Sequence, residues 1–239
     1  MDTARIAALL EPFLEQSLPQ SQLDQISIYI DLLLRWNARI NLTAIRNPDE
    51  IVTRHFGESL FLARHLFPTK TEVPGPFQIK EEVQSKFRLG GGARAIDIGS
   101  GAGFPALPLK IWDPSLDLTL IESNHKKAAF LNEAARELTF TNINVIADRA
   151  ENITAHQDFP KADLVTFRAV EHFETVLQQA PLFLAPQGKL ALLIGSAQAP
   201  LPTARSVVNV KWNNPIPIPQ SHSRILLVGL VDKVGKNMR

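Results

Sequence analysis

The chain of 239 residues contains no cysteine, which excludes disulfide bonds, a cysteine nucleophile and cysteine metal sites together. Its six histidines are scattered along the sequence, so we expect no metal site. There is no run of about 18 apolar residues, and hence no predicted membrane span. The N-terminus lacks the basic and then apolar pattern of a signal peptide. These absences are compatible with a cytoplasmic protein that binds no membrane.

A phosphate-binding G-x-x-x-x-G-K-[ST] motif is also missing, which excludes the common P-loop nucleotide site. The formal net charge is +1, too small to indicate a nucleic-acid-binding protein by itself. Apolar residues make up 45% of the chain, enough for a full hydrophobic core. The length fits one large domain, or one domain with an appended subdomain.

The most informative stretch of the sequence is residues 93–112. Residues 93–98 are apolar enough to predict a buried strand, and a turn with Gly99, Gly101 and Gly103 follows it. A helix is predicted over residues 104–112, with Pro105 in its first turn, where proline is tolerated. A strand, a glycine turn and a helix form the opening unit of a doubly wound α/β sheet.

Two acidic residues indicate which ligand the glycine turn would hold. Asp97 lies two residues before Gly99, where it would repel a pyrophosphate but suit the cationic amino-acid end of S-adenosylmethionine, directly or through a water. Glu122 ends the next apolar run, about 20 residues further on, where an acidic residue meets ribose hydroxyls. Phe104 occupies the third glycine slot of the dinucleotide motif, which disfavours a nicotinamide dehydrogenase. The alternative is a glycine turn without a nucleotide ligand in another α/β protein.

The remaining sequence predicts three parts: an N-terminal helical cap over residues 1–67, an insertion or linker over residues 68–92, and the methyltransferase domain over residues 93–239. Helical periodicity predicts three cap helices, the second ending near Arg39, with Ser17 or Ser21 as a cap and a helix start at Asn47-Pro48. In the domain we expect strands at 118–122, 142–147, 162–166 and 189–194, helices at 125–138 and 173–184, and a terminal hairpin from 206–212 and 224–231.

Polar residues near the end of the second helix are candidate ligand contacts. Asn37, Arg39 and Asn41 would lie beside the ligand pocket or RNA in one interpretation. In the other, Trp36 packs and the two asparagines satisfy turns and helix ends. Residues 205–239 carry six basic residues and one acidic residue, a local charge of +5 that would contact phosphates or form an ordinary basic tail.

Several of these segments together resemble one known family, that of the ribosomal RNA small subunit methyltransferase G, also called glucose-inhibited division protein B. The resemblance extends over nearly the whole chain. The matching segments are WNxxINLTA at 36–44, RHxxxSL at 54–60, DIGSGAGFP at 97–105, ESxxKKAxFL at 122–131, RAE at 149–151 and RAV at 168–170.

The resemblance implies a Rossmann-like class I fold and methyl transfer from S-adenosylmethionine to N7 of a guanine in 16S rRNA, near the decoding site. It implies a bacterial cytoplasmic enzyme whose partner is the small ribosomal subunit, and we expect a monomer. By the same resemblance, Gly99 and Phe104 contact the cofactor in the glycine loop, and Ala150 and Glu151 contact its adenine side. Arg168 is the candidate catalytic residue, at the cofactor and the target base.

Four further residues are candidates for binding the cofactor or the substrate. Asp97, Gly101 and Glu122 join the cofactor set on the physical grounds given above. His55, from the second matching segment, joins Asn37, Arg39 and Asn41 as a candidate substrate-binding residue.

The sequence departs from the family pattern at three positions. Ala106 replaces a glycine, Glu58 replaces an aspartate, and Ile194 stands where a lysine is usual at the end of the fifth strand. The missing lysine leaves two alternatives open. The chain would be a methyltransferase for a small molecule or protein, or a ribosome-binding homologue that has lost catalysis.

Overall fold

The structure is a computed structural model that describes residues 1–67, 89–154, 158–199 and 210–231. Most of the predicted insertion, residues 68–88, lies outside the described residues. So do the first residues of the predicted terminal hairpin and four of the six basic residues of the tail. The backbone N–H of Leu89 donates to the carbonyl of Leu66 at 2.6 Å, so the chain on the two sides of residues 68–88 meets at this point.

The N-terminal cap is helical, as predicted. The second helix begins after Pro19, which makes no side-chain capping hydrogen bond, so the predicted serine cap is wrong. The start at Asn47 is confirmed, since its side chain accepts from the N–H groups of Asp49 and Glu50. The cap elements are α1 (Thr3–Leu10), a 3-10 turn (Glu11–Phe13), α2 (Gln20–Asn37), α3 (Pro48–Glu50), a π-helical segment (Ile51–Gly57) and α4 (Glu58–Leu66).

The π-helical segment interrupts what the periodicity predicts as one continuous third helix. Such segments are rare in proteins, but those that occur are often found at functional sites. The wider helical turn moves side chains away from the regular helical faces. Gly57 ends the segment directly against Phe13. A β-carbon at this glycine would lie 2.7 Å from the Phe13 ring, so only glycine allows the two elements to approach this closely.

The sheet has the doubly wound order with an antiparallel edge. Within the described residues its strand order is β3-β2-β1-β4-β5-β8-β6, with β7 also paired to β8. The first five strands are parallel, whereas β8 is antiparallel to β5, β6 and β7. The strands are β1 (Arg94–Ile98), β2 (Asp117–Ile121), β3 (Ile143–Ile146), β4 (Ala162–Phe167), β5 (Leu184–Gly195), β6 (Val210–Trp212), β7 (Ile216–Pro217) and β8 (Arg224–Val231).

Within the part of the chain that the structure describes, four helices connect these strands. The N-cap at Asn124 is confirmed, because its side chain accepts from the N–H groups of Lys126 and Lys127. Pro105 precedes the first connecting helix as its cap residue instead of lying inside it. The predicted helix over 173–184 ends earlier and continues as a 3-10 turn, Ala180–Phe183. The helices are α5 (Ala106–Trp112), α6 (His125–Glu137), α7 (Ala150–Thr154) and α8 (Phe173–Gln179).

The cap and the sheet share one hydrophobic core. Buried cap residues such as Ile6, Tyr29 and Leu60 pack in the same cluster as Leu107 of α5 and Leu118 of β2. The division into cap, insertion and methyltransferase domain stays a prediction, but the continuous core means that the cap has a fixed position over the carboxyl ends of the strands. It therefore forms one wall of the site described next.

Candidate functional site

A cavity of about 600 Å³ opens at the carboxyl ends of the parallel strands. This is the edge at which doubly wound sheets bind ligands, and the volume suits a nucleoside-sized molecule. The loops after β1, β2, β3 and β4 line it from the sheet side, and residues 42–44 and His55 line it from the cap. The predicted glycine turn, the second acidic residue and the RAE and RAV segments therefore meet at one place.

The glycine loop has a backbone that other residues rarely adopt. Gly99, Gly101 and Gly103 all have positive φ angles, of 68°, 57° and 82°. A β-carbon at Gly103 would lie 2.5 Å from the Tyr29 hydroxyl oxygen, and this hydroxyl donates to the carbonyl of Ala102. A residue of the cap thus holds the loop in place.

Glu122 is buried beneath the loop and lines the cavity. Its carboxylate accepts from the N–H of Gly101 and from the N–H of Asn124, each at 2.8 Å. A carboxylate has about four acceptor sites, so two remain for hydroxyl groups of a ligand. Glu122 therefore orders the glycine loop and can also accept from ribose.

Asp97 is placed differently from the expectation. It is buried and does not line the cavity, although the residues after it do. One carboxyl oxygen accepts from the Thr166 hydroxyl at 2.6 Å, and the other has no hydrogen-bond partner among the described residues. Burial raises the pKa of Asp97 to about 7. Asp97 would therefore interact with a ligand cation through a water molecule or at a distance, without direct contact.

Three stacked rings lie on the cap side of the cavity, and two of them, His55 and Phe104, line it. Phe104 lies parallel to Tyr29, with ring centroids 5.3 Å apart, and His55 stacks on Phe104 at 4.6 Å. His55 Nε2 lies 2.8 Å from the Thr43 hydroxyl. Burial, together with Arg168, Arg54 and Arg224, lowers the pKa of His55 to about 3. A neutral imidazole thus lines the cavity.

Arg168 lines the cavity just beyond β4, where the next residue, Ala169, has a positive φ of 51°. Such strain at a non-glycine residue is frequent at functional sites. The Arg168 side chain is 8% exposed, and its Nη2 lies 3.0 Å from Glu58 Oε2 and donates to the carbonyl of Arg54 at 2.9 Å. Burial lowers the pKa of Arg168 to about 10, opposed by Glu58, so the guanidinium is charged at neutral pH.

Two further arginines contact the same buried glutamate. Arg54 lies 3.3 Å from Glu58 Oε1, and Arg224 lies 3.1 Å from Oε2. We call Glu58, Arg54, Arg168 and Arg224 the Glu58 cluster. Arg224 pairs with Gly195 across the β5–β8 ladder, next to the position where Ile194 replaces a lysine. The structure thus places another cation at this end of β5.

Of four other predicted site residues, two line the cavity and two do not. Ala150 and Glu151 both line the cavity at the start of α7, the first buried and the second exposed. Arg39 and Asn41 are exposed and do not line the cavity.

Asn37 turns inward instead of facing a ligand. Its amide donates to the carbonyl of Thr43 and accepts from the N–H groups of Leu42 and Thr43. The prediction that Asn37 binds substrate is therefore wrong in this structure, and the turn-forming alternative describes it.

Sequence reasoning missed a lining residue of the cavity, and also several residues of the Glu58 cluster and of the stacked rings that do not line it. Lys127 lines the cavity, although its place on a helix predicts a solvent-facing side chain. Glu58 was visible only as a departure from the family pattern, and nothing local distinguishes Arg224 or Tyr29. The signal available for Arg54 was its place beside His55 in the RHxxxSL segment.

Among the described residues, no group of three or more histidine, aspartate or glutamate side chains has the arrangement of a metal site. No helix in the same part of the chain is long and apolar enough to cross a membrane.

The chain resembles two solved structures in its fold. A fibrillarin/Nop5p complex has a TM-score of 0.50 at 17% identity, covering 60% of this chain and 75% of that chain. A SAM dependent methyltransferase from Aquifex aeolicus has a TM-score of 0.50 at 15% identity, covering 63% and 88%. With the observed strand order, these likenesses confirm the Rossmann-like class I methyltransferase fold.

Sequence comparison is more specific. The family model described as rRNA small subunit methyltransferase G matches residues 22–73 and 79–208. The ribosomal RNA small subunit methyltransferase G of Streptococcus thermophilus strain CNRZ 1066 is 36% identical over 203 residues, which is 83% of this chain and 76% of that protein. The protein of the same name from Streptococcus pneumoniae strain R6 is 34% identical over 204 residues, or 83% and 77%. The chain therefore belongs to the rRNA small subunit methyltransferase G family.

Proposed function

We infer that the chain transfers a methyl group from S-adenosylmethionine to N7 of a guanine in the 16S rRNA of the small ribosomal subunit. The observation that carries this inference is the family match over residues 22–73 and 79–208. The cavity supports it, because its glycine loop and Glu122 suit a nucleoside ligand. We also propose a cytoplasmic location, where the substrate would be found, and a monomeric enzyme.

The cavity residues fit this cofactor. We assign the ribose hydroxyls to the remaining acceptor sites of Glu122 and the adenine to the wall formed by Ala150 and Glu151. The methionine end would face the loop at Gly99, with the unpartnered oxygen of Asp97 supplying negative charge for its ammonium group.

The chemistry needs no general base, because guanine N7 carries a lone pair and no proton. When bound, S-adenosylmethionine supplies an electrophilic methyl group, whose transfer leaves its sulfur as a neutral thioether and the guanine ring positively charged. The protein supplies alignment of the two reactants, which can lower the barrier by about 7–11 kcal/mol.

We propose that the target guanine stacks on His55. RNA-binding proteins commonly hold unpaired bases on aromatic or histidine rings, and this ring is already backed by Phe104 and Tyr29. A neutral imidazole suits a base that becomes positively charged, because it adds no repulsion. For the same reason we assign Arg168 to an anionic group and not to the guanine ring.

The test is transfer of tritium from methyl-labelled S-adenosylmethionine to three acceptors: deproteinised 16S rRNA, small ribosomal subunits and a metabolite extract. We expect label in rRNA, in the free or assembled form, as 7-methylguanosine after nuclease digestion. Label in metabolites or ribosomal proteins would instead support the first alternative. Binding of rRNA without label would support the second, a homologue that has lost catalysis.

A pH prediction follows from Asp97. With a pKa of about 7, the buried carboxyl is about half protonated at pH 7. A nearby ligand ammonium favours the ionised form, so binding should release about half a proton at that pH, and affinity should rise between pH 6 and 8. Calorimetric titration with S-adenosylmethionine in two buffers of different ionisation enthalpy measures the release. Asp97→Asn should release none, and equal proton release from this variant would contradict the assignment.

A further inference from the structure

The Glu58 cluster brings together three parts of the chain that are distant in sequence. Arg54 comes from the π-helical segment, Arg168 from the loop after β4 and Arg224 from the start of β8. Their guanidinium groups surround one carboxylate at 3.0–3.3 Å. The Glu58 side chain is 1% exposed and that of Arg168 is 8% exposed, so the centre of the cluster is largely removed from water.

The cluster has more positive than negative charge. Three guanidinium groups face one carboxylate, which leaves a charge of +2 on the four side chains. Arg168 Nη1 and Arg224 Nε are buried and have no hydrogen-bond partner among the described residues. Buried charges and buried donors are costly unless they are paired. The arrangement is therefore incomplete, and an anion would complete it.

The charges that line the cavity are mixed. Glu122, Asp148 and Glu151 line it on the β2 and β3 side, together with Lys127 and Arg149. Arg168 and the exposed Glu171 line it after β4. The excess of positive charge therefore lies in the Glu58 cluster, toward β4 and β8 in the sheet order, and an anion suits that side.

We propose that the Glu58 cluster binds a backbone phosphate of the RNA substrate next to the target guanosine. Glu58 holds the three guanidinium groups in place, Arg168 lines the cavity while its unpartnered Nη1 is itself buried, and Arg54, which is half-exposed, lies on the cap side. Guanidinium groups match the geometry of phosphate oxygens with paired hydrogen bonds. This inference rests on the proposed function and extends it to Arg54, Arg224 and Glu58.

The test measures RNA binding without methyl transfer. Filter binding of deproteinised 16S rRNA is measured from 50 to 300 mM KCl for the wild type, Arg224→Gln and Arg54→Gln. Each substitution removes one phosphate contact, so the slope of log K against log salt should become shallower by about 0.7–0.9. We expect about tenfold weaker binding at 100 mM KCl. The affinity for S-adenosylmethionine, measured by calorimetry, should stay within about twofold of the wild type.

Arg136→Gln is the matched control, because Arg136 is an exposed arginine on α6 that does not line the cavity. It should leave the RNA affinity and the salt slope unchanged. Arg224→Lys keeps the charge, so it should keep the salt slope while binding RNA more weakly than the wild type. If Arg224→Gln does not fold, RNA binding by Arg54→Gln still tests the proposal, because the Arg54 side chain is half-exposed.

Two results would overturn the proposal. A weaker affinity for S-adenosylmethionine with an unchanged RNA salt slope would assign the cluster to the cofactor carboxylate. Unchanged RNA binding in folded Arg54→Gln and Arg224→Gln proteins would assign it a purely structural role. Failure of the proposed function is distinct from both: a wild type that methylates no RNA but shows these salt slopes loses the assigned activity and keeps the phosphate site.

Discussion

Arg168→Ala is expected to lower kcat/KM for rRNA methylation by about 100-fold, the loss that a misplacement of about 1 Å at the reacting centre can cause. Arg168 reaches the cavity from the end of β4 and is held by Glu58 and the Arg54 carbonyl. Without it, the anionic group that it orients is no longer fixed relative to the methyl donor. Tritium transfer to rRNA under subsaturating conditions measures the change.

The fold should survive this substitution, because Glu58 keeps Arg54 and Arg224 as partners. Circular dichroism spectra should therefore match those of the wild type. Arg168→Lys should recover only part of the activity, since an ammonium group does not reproduce two guanidinium contacts. Arg136→Ala is the matched control and should be fully active. Full activity of folded Arg168→Ala would remove Arg168 from the site.

Glu58→Ala is expected to lower the free energy of unfolding by about 3–5 kcal/mol, the range measured when one partner of a buried ion pair is removed. Three guanidinium groups would lose their shared carboxylate, and that of Arg168 is almost fully buried. For a chain of this size the thermal midpoint should fall by about 10 °C. Urea denaturation followed by circular dichroism gives the free energy directly.

Two other carboxylate substitutions separate charge from burial. Glu58→Asp keeps the charge and should be much less destabilised than Glu58→Ala. Glu15→Ala removes a glutamate that is 68% exposed and lies 3.8 Å from Arg64, so it should change stability by less than about 1 kcal/mol. If Glu58→Ala and Glu15→Ala have the same stability, Glu58 does not neutralise the buried arginines.

Local features of the fold were predictable because their causes lie within a few residues. The helix start at Asn47-Pro48 and the cap at Asn124 depend on a side chain that bonds N–H groups two or three positions away. The glycine loop follows from the need for positive φ angles at three nearby positions. Four of the five parallel strands lie close to the predicted apolar runs, whereas β5 begins at Leu184, ahead of the predicted start at residue 189.

Other features depend on contacts that no short segment contains. The π-helical segment replaces a regular helix where Gly57 packs against Phe13, a residue from a different element. The interpretation of Asn37 as a ligand contact was wrong because its side-chain amide accepts hydrogen bonds from the N–H groups of Leu42 and Thr43 in the following turn. The role of Asp97 in cofactor binding stays a prediction, and its burial and its hydrogen bond to Thr166 depend on the neighbouring strand β4.

The sequence alone was enough to predict the fold class, the family and the glycine loop. Glycine spacing, acidic residues at strand ends and ordered motifs all lie in short contiguous segments. Spatial assembly was needed for the Glu58 cluster. Arg224 and Glu58 are 166 residues apart and meet because the register of β8 on β5 brings Arg224 to the carboxyl edge of the sheet, beneath the cap. Charge pairing in a buried site depends on which distant side chains the packed core brings together. Helical periodicity and short motifs do not predict which side chains these are.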